Sequence, residues 1–376
     1  INESDTVKIL FSQNPGVIIQ VKEEDEIAEI LLENGISYFS IGYPIQERSL
    51  FVTNNNNLIT FDIDMLRDKW FRTSYLLDRR QCGAKLALER FENFKNHELN
   101  IKTADFTGTF KSLGITPERR KQSGIRAAII REKGVNGDRE MAYALYLAGF
   151  DVKDVHMTDL ICGRETLEEM SMIVFVGGFT NSDVLGSAKG WAGAFRYNEK
   201  AGIALDKFFE RTDTLSLGVC NGCQLMVELD LIYPHHAEKP KLLLNKSHKF
   251  ESGFIGLKIM ENNSVMLGNM TDMELGIWVA HGEGRFSLPY PENKYQIPLK
   301  FSRHTYPANP NGSDYDVAGL CSEDGRHLVM MPHLERAYFP WQCGYYPSDK
   351  RNDDVGPWIK AFVNARVWIE SAANRG

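Results

Sequence analysis

The run Gly218-Val219-Cys220-Asn221-Gly222-Cys223-Gln224 places a thiol between an apolar segment, 214–217, and a helical pattern. A nucleophile at such a junction sits on a tight, strained turn that lifts its side chain over the edge of a sheet. Glycines at 218 and 222 remove the side chains that would crowd that turn. The helix that follows points its amino end at the sulfur, and its dipole and free N–H groups favour thiolate, the attacking species. Cys220 is therefore a candidate nucleophile. Other readings fit the same residues. Cys220 and Cys223 form a C-x-x-C pair that can serve as a redox dithiol. The pair can also be half of a zinc site, although no second C-x-x-C or H-x₃-H partner accompanies it. Cysteine is also simply a small residue suited to a core. Cys223, one helical turn on, reads as structural.

A thiol that attacks an acyl carbon needs a base, and the base needs an orienting group. Among the nine histidines, His333 follows the apolar run 328–331 and precedes Leu334 and Glu335. Alternation in an extended segment puts His333 and Glu335 on one side, where the carboxylate fixes the imidazole tautomer. The alternative is an ordinary surface pair. After the apolar run 172–176 comes Gly177-Gly178-Phe179-Thr180-Asn181-Ser182-Asp183. Two glycines at a strand end let backbone N–H groups approach a ligand, and with the N–H of Asn221 they can hold an oxyanion; they can equally make only a turn. His281-Gly282-Glu283-Gly284-Arg285 follows another apolar run, and reads either as a pocket wall or partner contact or as a structural loop.

The elements around these residues change character along the chain. Residues 16–63 read as a small α+β unit, with strands at 17–21, 38–42, 50–53 and 58–63 and a helix at 24–32 closed by Asn34-Gly35. Asn54 to Asn57 read as a hairpin loop. One short helix cannot cover four strands, so this unit is expected to complete a sheet that lies elsewhere. Residues 64–98 are a long amphipathic helical stretch. Gly114, Pro117 and the cluster Glu118-Arg119-Arg120-Lys121 mark a boundary, with the charges read as a solvated surface. From Gly124 strands and helices alternate: strands at 125–130, 152–157, 172–176 and 214–219, helices at 138–148, 198–210 and 223–229. That order implies parallel strands with covered faces and a ligand at their carboxyl ends. Shorter strand-like pieces follow Pro234, and a helix closes the chain near 358–370. The expected fold is α/β: a mostly parallel open sheet flanked by helices, preceded by a small α+β fragment and a helical linker.

The 376 residues allow about two domains, and 43% hydrophobic with 25% charged residues is an ordinary globular balance. The net charge of −7, without dense basic runs, argues against nucleic acid and against an anionic membrane surface. No apolar run approaches the roughly 20 residues that span a bilayer. Six scattered cysteines do not make a disulfide framework, so a reducing cytoplasm is expected. The chain opens Ile1-Asn2-Glu3 without methionine and reads as a piece of a longer polypeptide.

GVCNGCQ, VGGFTNSDVLGSAKGWA, AHGEGR and MPHLER together resemble the class I (triad) glutamine amidotransferases. More narrowly, they are similar to the glutaminase end of the purine-pathway formylglycinamide ribonucleotide amidotransferases in their large, single-chain form. REKGVNG at 131–137 and DVHMTDL at 154–160 fit the same family, and the resemblance covers about 122–376. LFSQNPGVIIQV and TSYLLDRRQ resemble the end of that family's synthetase region and the segment leading out of it. The layout implied is the incomplete end of an ATP-dependent synthetase domain at 1–63, a helical linker at 64–121 and a glutaminase at 122–376.

The resemblance implies Cys220 as nucleophile toward glutamine, His333 as base and acid, and Glu335 as its support. It implies N–H groups of Gly178 and Asn221 at the oxyanion, and Gly177, Gln224 and His281 in substrate binding. No metal is implied in this chain. ATP and magnesium, with formylglycinamide ribonucleotide, are implied for the synthetase region, which receives the ammonia inside the protein. One departure stands out: Asn181-Ser182 occupies the place of a Tyr-Gly pair in many relatives.

Overall fold

A computed structural model describes residues 3–96 and 99–373. Ile1, Asn2 and residues 97 and 98 of the expected helical stretch lie outside the described residues. The chain divides into two compact units, Ile1–Leu77 and Asp78–Gly376.

The first unit contains α1 (Thr6–Phe11), α2 (Glu24–Glu33), β1 (Ser49–Asn54), β2 (Asn57–Asp62) and the start of α3 (Ile63–Gln81). Three acidic residues in the first turn of α2 complement its dipole. β1 and β2 form the expected hairpin, closed by Asn54 opposite Asn57, with Asn55 left-handed at φ 52°. The strands expected at 17–21 and 38–42 are absent: these segments carry no regular structure. Their β-branched residues express a local preference, but a strand is completed only by a hydrogen-bonding neighbour. The described unit pairs β1 with β2 alone. Val17 and Ile18 are accordingly left 88% and 83% exposed.

The second unit opens with the end of α3, which stops at Cys82-Gly83, and continues into α4 (Ala84–Glu92). Then follow β3 (Arg126–Arg131), α5 (Asp138–Ala148), β4 (Asp151–His156), α6 (Met157–Cys162), β5 (Met172–Phe175), α7 (Lys189–Arg196), α8 (Glu199–Glu210), β6 (Leu215–Val219) and α9 (Asn221–Glu228). The remainder comprises β7 (Lys241–Leu243), β8 (Glu251–Ile259), β9 (Glu274–His281), β10 (Arg285–Ser287), β11 (Gln296–Phe301), β12 (Val317–Cys321), β13 (His327–Met330) and α10 (Ile359–Ala373).

Among the described residues, nine of these strands form one sheet in the order β4-β3-β5-β6-β13-β12-β11-β8-β9. β4, β3, β5, β6 and β13 run parallel. The strand-like pieces after Pro234 extend that sheet in antiparallel fashion through β12, β11, β8 and β9, so the α/β sheet is mixed. β5 and β6 are buried at every position, which is why they read as continuous apolar runs: helices cover both faces.

The basic cluster before β3 is not all solvated surface. Arg119 reaches back to Asp151 at 2.8 Å and to the carbonyl of Phe150 at 2.7 Å. Its own carbonyl accepts from the Tyr146 hydroxyl. The N–H groups of Ser123 and Gly124 donate to the same Asp151 carboxylate. This ties the entry of β3 to the start of β4. Burial works against charge on Asp151, but Arg119 and the two amides outweigh it and hold the carboxyl below its usual range. A depressed carboxyl pKa stabilises the fold above the unfolded value, near pH 4, and that contribution disappears as pH falls through the folded value. Asp151→Asn should therefore cost about 1–3 kcal/mol at neutral pH. In urea unfolding, the gap from the parent should close in acid; a gap that persists there refutes the assignment.

Candidate active site

Cys220 lies at the carboxyl end of β6 and caps α9, with φ 52° and ψ −107°, a conformation L residues seldom adopt. The flanking glycines permit it by their lack of bulk. A Cβ on Gly218 would fall 2.6 Å from the carbonyl oxygen of Gly222, and one on Gly222 would fall 2.0 Å from that of Phe175. The Cys220 N–H donates to Met330 O at 2.9 Å, extending the β6–β13 ladder by one residue. The Sγ faces Ala280 O, at the end of β9, at 3.6 Å.

His333 follows β13, and its N–H donates to Trp278 O of β9 at 2.9 Å. Its Nδ1 lies 2.6 Å from Glu335 Oε1, with both side chains essentially fully buried. The expected pairing is present, but its geometry differs from the expected one. Leu334–Arg336 form a short 3-10 turn, and this turn, rather than strand alternation, swings Glu335 back to the ring. A Cβ on Gly177 would lie 2.8 Å from His333 Cε1 and 3.3 Å from Cys220 Cβ, so imidazole and thiol meet across the bare backbone of Gly177. Burial disfavours charge on His333, yet Glu335 and the Cys220 sulfur prevail and raise its pKa above the ordinary histidine range.

Beyond Gly177, Gly178 pairs with Val135 in a one-residue antiparallel bridge. Its bonds run from Asn136 N–H to Gly177 O and from Phe179 N–H to Gly134 O, which leaves the Gly178 N–H out of the pairing. Asn181, Ser182 and Asp183 then follow one another at φ 52°, 57° and 49°. Ser182, one of the two residues at which the sequence departs from the expected pattern, is thus held left-handed although it carries a side chain.

The 281–284 segment is a wall with His281 and Gly284 buried and Gly282 and Glu283 half-buried. Asn245 donates to the carbonyls of His281 and Gly282 and accepts from the Gly284 N–H. Asn311 donates to Gly284 O, and Gln224 Nε2 donates to Glu283 O at 2.8 Å. His281 is 2% exposed, and neither ring nitrogen has a partner. Burial, then the neighbouring His333, lowers its pKa to about 4, so at neutral pH it offers one free donor and one free acceptor. Asp183 faces Glu283; burial and that second carboxylate raise its pKa against the opposing Ala188 amide.

The structure brings Cys220, His333, Glu335 and Gly177 together, with Gly178 on the adjoining loop, Asn221 and Gln224 in the first turn of α9 and His281 at the end of β9. Sequence reasoning missed Asn245 and Asn311, which lie in segments without a recognisable pattern, and the carbonyls of Trp278 and Ala280, whose role no side chain signals. Cys223 is 0% exposed, and burial, then the Cys220 sulfur, pushes its thiol well above the ordinary range, contrary to what a redox partner needs. Among the described residues no group of three or more His, Cys, Asp or Glu is placed to hold a metal ion.

A cysteine elbow and a histidine–carboxylate couple on the carboxyl edge of an α/β sheet define the triad amidotransferase class. The chain belongs to the CobB/CobQ-like glutamine amidotransferase domain family, whose profile matches residues 124–369. It is 37% identical over 397 residues to human phosphoribosylformylglycinamidine synthase, covering 97% of this chain and 29% of that protein. With a probable phosphoribosylformylglycinamidine synthase of Caenorhabditis elegans it shares 38% identity over 397 residues, 96% of this chain and 30% of the relative. The chain thus spans less than a third of the curated relatives it matches. A solved structure of PurLQS from Thermotoga maritima superposes with a TM-score of 0.51 at 25% identity, over 66% of this chain and 99% of that one.

The raised pKa of His333 makes a stability prediction. A histidine whose folded pKa is raised stabilises fully below its unfolded value, about 6.5, and the contribution is lost as pH rises through the folded value. In Glu335→Gln the neutral amide no longer offsets burial, so His333 should titrate at least about one pH unit lower by NMR of its ring. The loss of stability above neutrality should flatten with it. An unchanged titration would show that Glu335 does not support the ring.

Proposed function

We propose that this chain is the glutaminase portion of a phosphoribosylformylglycinamidine synthase. In this reading it hydrolyses glutamine and supplies the ammonia for ATP-dependent conversion of formylglycinamide ribonucleotide to its amidine in purine synthesis. The observation that carries the reading is the buried His333–Glu335 pair, 2.6 Å apart, set against Cys220 across Gly177. Cys220, its proton held on His333, attacks the side-chain carboxamide of glutamine as thiolate. N–H groups of Gly178 and Asn221 hold the oxyanion, while Gly177 leaves room for the imidazole beside the sulfur. His333 returns the proton to the departing nitrogen, which leaves as ammonia. Water, deprotonated by the same imidazole, cleaves the γ-glutamyl thioester to glutamate and restores the thiol. The neutral His281, a buried imidazole with two free nitrogens, suits the uncharged amide of the substrate, and Gln224 serves binding by fixing the wall next to it through Glu283 O.

In the same reading, 1–63 is the end of a synthetase domain, 64–121 a helical linker and 122–376 the glutaminase. The relatives align along nearly the whole chain, and no described residue of the first unit is buried, as fits a segment whose packing partner lies in the rest of the relatives. In this reading ATP and magnesium serve the synthetase region, which takes up the ammonia released here. A reducing cytoplasm agrees with six free cysteines, and no described helix is long and apolar enough to cross a membrane.

A glutamine-like chloroketone tests the site. Intact-mass analysis should show one adduct, formed with loss of chloride, absent in Cys220→Ala and retained within about twofold of the parental rate in Cys223→Ser. A Cys220→Ala chain that still takes up the reagent and still releases ammonia from glutamine sinks the assignment.

A further inference from the structure

Asn221 does more than lend a backbone N–H. Its side chain is 0% exposed, between Thr180 at 1% and Gln224 at 6%. The Thr180 N–H and hydroxyl both donate to Asn221 Oδ1, at 3.2 and 2.7 Å. Because a backbone N–H can only donate, the oxygen of the amide must face Thr180. Nδ2 then faces Gln224 Oε1 at 2.9 Å, which leaves Gln224 Nε2 to donate to Glu283 O at 2.8 Å. Each amide has one permitted orientation, and each orientation dictates the next. The relay starts two residues after Gly178, passes beside Cys220 and ends on the 281–284 wall.

We propose that the Asn221 side chain, with Thr180 and Gln224, is a positioning relay that sets the spacing between the Gly178 and Asn221 N–H groups. This rests on the glutaminase reading above. The loop it holds contains three consecutive non-glycine residues in left-handed conformation, each costing about 1–2 kcal/mol. The Gly178–Val135 bridge and the Asn181 N–H bond to Lys133 O hold one side of this loop, and the Thr180–Asn221 bonds tie its other side to the first turn of α9, beside Cys220. An oxyanion hole works only when its donors are placed in advance of the charge. The relay therefore acts on the attack at a carbonyl and leaves the sulfur's intrinsic reactivity alone.

The test uses two reagents on the full chain. The glutamine-like chloroketone first takes the sulfur at its carbonyl as a thiohemiketal oxyanion, and the sulfur then bonds to the adjacent carbon as chloride leaves; iodoacetamide loses iodide by direct displacement, with no oxyanion. Asn221→Ala should slow the maximal chloroketone rate roughly 10–100-fold, with Thr180→Val about 3–10-fold. Iodoacetamide labelling of Cys220 should stay within about twofold in both. The double variant should be no worse than Asn221→Ala alone, because the two act through one contact. If both reagents slow together, the amide merely supports the turn and the proposal falls; if neither slows, it falls as well. A parental chain that takes iodoacetamide at Cys220 but refuses the chloroketone overturns the glutaminase reading itself, and the relay with it.

Discussion

The parallel pairing of β6 with β13 is the constraint on which the site depends. Its register, from Ser216 opposite His327 to Val219 opposite Met330, makes the two strands end level, and the bond from Cys220 N–H to Met330 O carries the match one residue further. Parallel strands release their chains at a common edge. The nucleophile, the base and the Gly177-Gly178 loop, which come from three strand ends distant in sequence, therefore converge without a long connection. A slip of one residue in that register would turn the reacting groups to opposite faces.

Holding the couple at that edge is costly. Burying a histidine and a carboxylate forfeits several kcal/mol of hydration per charge, and only close geometry recovers it. The 2.6 Å contact supplies that geometry, but Glu335 Oε2 is left without a hydrogen-bond partner. Conformational strain adds to the cost at Cys220, whose backbone angle is worth about 1–3 kcal/mol. The turn persists because the ladder bond to Met330 O and the first bond of α9, from Gln224 N–H to Cys220 O, secure it on both sides.

The two halves of the mixed sheet divide the work. The parallel half supplies the reacting side chains. The antiparallel half supplies the wall opposite them, through Trp278 O, Ala280 O and His281 near the end of β9. Paired residue for residue with β8 over its whole length, β9 holds that wall rigid, and Asn245 and Asn311 fasten the loop beyond it.

Much of this was legible in the sequence. The continuous apolar runs of β3, β5 and β6 reflect burial on both faces. The glycine-flanked Cys220 reflects a turn with no room for side chains, as the contacts of Gly218 and Gly222 bear out. The His333–Glu335 pair was visible from spacing, although a 3-10 turn forms it. What the sequence misjudged depended on distant partners: 17–21 and 38–42 have strand composition but no neighbour to bond, and Arg119 sits in a charge cluster yet is claimed by Asp151. The antiparallel order of β12, β11, β8 and β9, the Asn245 clamp and the amide relay had no local signal at all. Residue type and periodicity report the environment that a side chain requires, and so they determined the elements and the reactive groups. Which carbonyl or carboxylate meets which donor is settled only when the tertiary fold brings far-separated backbone within hydrogen-bond reach, since that energy depends on position and not on composition.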